Sequence, residues 1–351
     1  MAGAAARLLD WEAAKRIGGR LSGPTPGMRR ADRARLAEEL DDAVAHADSL
    51  VTEFTGLRID APASRAWVMT RREWLAQNLR GFEQILEPVA SRLVGRRPDG
   101  ALAPVRRSVL AFQVGGILGY LSRRVLGQYD LFLPPDDRDL IYFVGPNVVE
   151  LERKHRFDGR EFRLWLALHE VTHRVQFEGV PWLRGYLGEL IETYLQSLNL
   201  DARELIERLR RAREEIRRNG EWKEMGVLSV LMTPEQRDTF RKMQALMSLL
   251  EGHGNYVMDR LSDGRIGGAP RMRRTLRERR RKQGLGKVVQ RAVGLDVKGR
   301  QYDTGERFVS EVVRRGGAEG FARVWEAPEH LPTLAEIARP RAWVERVAAA
   351  N

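Results

Sequence analysis

The sequence predicts a mainly α-helical fold that carries one small antiparallel β-hairpin. Three observations lead there. Apolar residues recur at three- and four-residue spacing along most of the chain, the pattern of helices with one buried face. Two short aromatic and β-branched pieces, 128–133 and 140–144, read as strands with Pro-Pro-Asp-Asp turn chemistry between them. And 43% of the 351 residues are hydrophobic, enough for a packed core and too many for a disordered or collagen-like chain.

In order along the chain, the N-terminal stretch meets Asp10 and Glu12 too early for a secretory signal and reads as an amphipathic helix. Residues 30–57 place Leu36, Leu40, Val44, Ala47 and Val51 on one face, and 72–95 does the same with Trp74, Leu75, Leu79, Phe82, Ile85 and Leu86. The break Gly95–Pro104 is the best boundary, separating an N-terminal helical region (1–100) from the remainder (105–351) within what reads as one continuous domain. Val109–Leu121 is the longest apolar run. It is shorter than the ~20 residues that span a bilayer, so it reads as a buried helix, with Gly115 and Gly119 admitting a close neighbour. A cytoplasmic protein with no membrane partner is expected. Asp158 and Glu161 then make a capping pattern before an apolar run that Gly179 and Pro181 stop, which predicts a helix over 159–178. Charged helices at 201–218, apolar ones around 240–258, a basic stretch at 271–291 and a Pro- and Trp-punctuated C-terminal region follow.

The chain has no cysteine, which excludes disulfide scaffolds, thiolate metal sites and a cysteine nucleophile. Any transition metal must be held by His, Asp or Glu. The net charge of +12 points to an anionic partner or to solvated helices. The basic run from Arg271 to Lys282 has no interleaved aromatic on which bases could stack, so the solvated reading is favoured over a nucleic-acid partner.

The chemistry concentrates on the punctuated helix, at His169-Glu170-Val171-Thr172-His173. Histidines at i and i+4 lie one turn apart on one face and can meet a single metal ion, while Glu170 projects about 100° to the side, where it can serve a water as general base. Zinc lowers the pKa of bound water toward ~7, so one Zn2+ would suit hydrolysis of a peptide or amide. A third protein ligand is needed. The spacing H-E-x-x-H-x-x-G-x-x-H fails, since position 176 is Gln176 and position 179, where the third His would fall, is Gly179. The segment around Glu251-Gly252-His253-Gly254-Asn255-Tyr256 supplies Glu251 or His253. If it is helical, Glu251 shares a face with Asn255, which could hydrogen-bond a ligating imidazole, and His253 points some 200° away; this favours Glu251. Gly252 and Gly254 weaken helicity, and an irregular backbone would present His253 instead. Tyr256, Tyr186 and Tyr302 are candidate oxyanion donors that nothing in the spacing separates.

FRLWLALHEVTHRVQFEGVPWLRGYL, with EGHGNYVMD downstream, resembles the zincin-like metallopeptidase family whose members are often labelled deazaflavin-coenzyme biosynthesis-associated proteins or candidate hydrolases. The resemblance runs from Asp10–Trp11 to the last helix. It implies a zincin-like helical fold, His169 and His173 as ligands, Glu170 as base and Glu251 as third ligand. Where a gluzincin helix would carry Asp four residues after its ligand Glu, this chain has Asn255, which accepts a hydrogen bond without the negative charge. The expected function is therefore a zinc-dependent hydrolase acting on a peptide or protein substrate. The alternatives are a non-proteolytic binding or scaffold protein on the same fold and, more weakly, a nucleic-acid binder. In zincins a strand edge beside the cleft pairs with extended substrate, a use open to the 128–144 hairpin by analogy.

Overall fold

The computed structural model describes residues 9–24, 28–94, 103–131, 137–197, 232–283 and 301–349. The helix expected at 201–218, residues 132–136 at the end of the first expected strand and in its turn, residues 284–291 of the basic stretch, and most of the Gly95–Pro104 break lie outside them. The chain divides into two compact units, residues 1–175 with 261–272, and 176–260 with 273–351.

The first unit contains α1 (Trp11–Leu21), α2 (Arg30–Thr55), β1 (Arg65–Met69), α3 (Arg71–Val94), α4 (Ala103–Ser122), β2 (Gly127–Tyr129), β3 (Leu140–Val144), α5 (Gly145–His155) and most of α6 (Gly159–Gly179). Asp10 caps α1 by accepting from the Ala13 N–H at 2.8 Å. The paired glycines do what their spacing suggests: a Cβ on Gly115 would stand 2.3 Å from the Ala14 carbonyl oxygen, and one on Gly119 would stand 2.6 Å from that of Gly18. Backbones of α1 and α4 thus touch over a core of Trp11, Ala14, Trp74, Leu75 and Leu118. The rest of the buried-helix expectation needs correction. Among the described residues only one side of α4 is covered; Val109 is 50% and Phe112 64% exposed, and on α3 Phe82 is exposed too.

The sheet has three strands in the order β1-β3-β2, so the expected hairpin (β2 antiparallel to β3) is present with a parallel neighbour added. β1 carries little sequence signal, because Arg65–Met69 holds a single β-branched residue, Val68. Its outer edge is satisfied by side chains from α2: Asp41 accepts from the Ala66 N–H at 2.7 Å, and Arg33 donates to the Val68 carbonyl at 2.7 Å. At the head of α6, Asp158 accepts from the Glu161 N–H at 2.9 Å. Glu161 does not close the box. Its carboxylate turns away and takes the N–H groups of Gly267 and Gly268 at 3.1 and 2.9 Å.

The second unit holds the last turn of α6, α7 (Leu183–Ser197), most of α8 (Pro234–Ser262) and of α9 (Ala269–Gln283), α10 (Gln301–Ala322), two 3-10 turns at Arg323–Trp325 and Pro328–His330, α11 (Leu334–Ala338) and α12 (Pro340–Ala349). The glycines of α8 do not break it. A Cβ on Gly252 would lie 2.3 Å from the Gly305 carbonyl carbon, and one on Gly305 would lie 2.0 Å from the Ser248 oxygen, so this is a close helix–helix approach. The C-terminal region is knotted by a Thr333/Glu336 capping box, by Trp343 donating to the His330 carbonyl at 2.7 Å, and by Arg346 on Glu336. Among the described residues no helix is long and apolar enough to cross a membrane.

Candidate metal centre

Helix α6 is buried on almost every side through its middle, with Trp165, Leu166, Ala167, Leu168, Val171, Thr172 and Val175 all in the core. His169 and His173 are its half-buried positions there. Their Nε2 atoms face one another at 3.2 Å, with ring planes at 85°. Bonds of 2.0–2.1 Å from two imidazoles to a tetrahedral zinc require an N···N separation of about 3.3 Å. The pair therefore has the spacing that one such ion demands.

Glu170 is buried, and its carboxylate lies against the outer edge of β2, where Oε2 accepts from the Tyr129 N–H at 3.2 Å. The next residue after the motif holds the helix in place. Arg174, 1% exposed at its side chain, donates to both oxygens of Asp48 at 3.2 Å, to Ser64 Oγ at 2.8 Å, and to the carbonyls of Pro62 and Arg138. A fully engaged guanidinium beside His173 fixes the rotation of α6 about its own axis.

Past Val175 the same helix enters the second unit, where Gln176 sits buried against α8. Its Nε2 donates to the Leu250 carbonyl at 3.1 Å and to His253 Nδ1 at 2.9 Å. Two acceptors identify that atom as the amide nitrogen, so His253 accepts at Nδ1 and carries its proton on Nε2. The imidazole is buried, stacked on Phe321 at 5.1 Å and edge-on to Trp325 at 5.3 Å. Among the described residues, the group of His and acidic side chains able to hold a metal is His169, His173 and Glu251, one ligand atom from each lying within 4.8 Å of the others. His253 is not in that group. Asn255 is buried one turn beyond Glu251, and Tyr256 is buried with its ring 5.3 Å from the Arg260 guanidinium. Tyr186 packs edge-on against Trp182 at 6.0 Å, while the side chain of Tyr302 lies outside the description.

Much of the basic helix α9 is structural. Arg271 donates to the His155 and Arg156 carbonyls and covers Phe157 at 5.4 Å, Arg273 pairs with Asp259 at 2.7 Å, and Arg277 pairs with Glu306 at 2.8 Å. Burial pushes the Asp259 carboxyl up to about 6 against the pull of Arg273. Met272 and Leu276 are buried from the same helix.

Sequence reasoning missed three groups around the site. Gln176 entered only as the residue that spoils a longer His pattern; Arg174 was one arginine among many; and Gly127 opens a strand, a position that signals close approach by another group.

An H-E-x-x-H pair with this nitrogen spacing and a buried carboxylate alongside is the pattern that a zincin-type metal site requires. The model of the zincin-like metallopeptidase family matches residues 9–344, and the chain belongs to that family. Among solved structures it is similar to a protein from Chloroflexus aurantiacus described as a candidate hydrolase with a novel fold, at 34% identity and a TM-score of 0.74, over 97% of this chain and 99% of that one. No curated protein sequence matches it.

Proposed function

We propose that the protein is a zinc-dependent hydrolase that cleaves a peptide or amide bond in a peptide or protein substrate, with His169, His173 and Glu251 binding one ion and Glu170 as general base. The observation that carries this reading is the grouping of the three ligand atoms within 4.8 Å, with Glu170 next to His169 in the same turn. Zinc, if held by this set, would supply a Lewis acid able to polarise a carbonyl and to lower the pKa of water to about 7. The protein's own part is positional. Arg174 and Gln176 hold the helix, and Glu170 waits against β2 to take the proton of the attacking water. Family membership and the description of the Chloroflexus protein as a candidate hydrolase support a hydrolase.

The scaffold alternative gives Glu170 no task beyond its contact with β2, and the pairing of Arg273 and Arg277 with acids weighs against a nucleic-acid role for α9. The test is a peptide library incubated with zinc-loaded protein. Cleavage is expected, lost on dialysis against a chelator and restored by about one equivalent of zinc. Absence of cleavage by fully loaded protein would move the assignment to the scaffold.

A further inference from the structure

We propose that Gly127 and the backbone amide of Tyr129 are positioning groups for the Glu170 carboxylate. The inference rests on Glu170 acting as base and adds how that base is held. Val144 N–H donates to the Leu126 carbonyl at 2.9 Å, and the register pairs Gln128 with Tyr142. In an antiparallel ladder hydrogen-bonded and open pairs alternate, so Gln128 faces β3 while the amides of Gly127 and Tyr129 point out of the sheet. This is the free edge of β2. The opposite edge of the sheet is capped by side chains of α2; here the capping group is the carboxylate of the metal-binding helix, Oε2 on the Tyr129 N–H.

Gly127 makes room for it. A Cβ at this position would stand 2.6 Å from Glu170 Cγ, 2.8 Å from Oε1 and 2.9 Å from Cδ, all inside contact distance. Gly127 is not among the positive-φ residues, so the requirement is for space and not for a special backbone. The three nearest atoms all belong to one flexible side chain, that of Glu170. Adding a methyl group therefore moves the carboxylate off the strand and leaves the fold intact.

The test uses Gly127→Ala in the full chain. The protein has seven tyrosines, so [15N]tyrosine labelling gives seven amide signals, and the Tyr129 signal is the one missing from Tyr129→Phe. Solvent exchange of the Tyr129 amide is expected to rise about tenfold or more in Gly127→Ala and in Glu170→Ala, with the other six unchanged. Zinc content should stay the same. On a cleaved substrate, kcat of Gly127→Ala should fall about 100-fold with KM little altered, the size of loss that follows a misplacement of about 1 Å. Unchanged Tyr129 exchange in Gly127→Ala, or a wild-type kcat, overturns the inference. The exchange measurement needs neither metal nor substrate. Its failure beside an inactive Glu170→Gln removes only the positioning role, while altered exchange in a protein that cleaves nothing leaves the positioning geometry standing and removes the hydrolase.

Discussion

Glu170→Gln should lower turnover by about 10²–10⁴-fold while leaving zinc bound. The substitution keeps the length of the side chain and an oxygen able to accept the Tyr129 N–H, so the contact with β2 survives. What disappears is the charge, and with it the ability to take a proton from the attacking water. Because Glu170 is not one of the three grouped ligands, metal content should not follow activity downward. Turnover that survives in Glu170→Gln would mean that another group is the base, and the carboxylate against β2 would then have only a structural part.

Arg174→Met is expected to be the most damaging substitution to stability in the first unit. The guanidinium is buried and makes hydrogen bonds to five acceptor atoms, among them both oxygens of Asp48. Methionine fills much of the volume but leaves the Pro62 and Arg138 carbonyls without this donor and Asp48 without its cation. Removing one partner from a buried ion pair costs about 3–5 kcal/mol. The midpoint of thermal unfolding should drop by roughly 10 °C. Lysine cannot repair it, because one ammonium cannot reach acceptors spread around a planar fork. An unchanged midpoint would show that the network is not what secures α6.

The parts of this molecule legible in the sequence are those set by near neighbours in the chain. The helix 159–179 announced itself through Asp158, an apolar run and Gly179, and His169 and His173 share a face by helical arithmetic alone. Gly115 and Gly119 likewise told of a close approach, though not that α1 makes it. What stayed hidden depends on residues far apart in sequence. β1 is defined by its pairing with β3 across some 75 positions and by capping from α2. Val109 and Phe112 read as core because their composition is apolar, yet that side of α4 meets no partner among the described residues. Gly252 and Gly254 looked like weak points for a helix, and only the presence of Gly305 shows that Gly252 serves packing. The Gly267 and Gly268 N–H groups that donate to Glu161, the amide of Gln176 and the space at Gly127 belong to the same kind.

The most direct measurement is the zinc content of the full-length protein after loading and removal of excess ion, compared across three chains. About one zinc per chain is expected for the unaltered protein, near zero for His169→Ala, and about one for Glu170→Gln. An unaltered protein that retains no zinc, or a His169→Ala variant that retains as much as its parent, would contradict the proposed metal site.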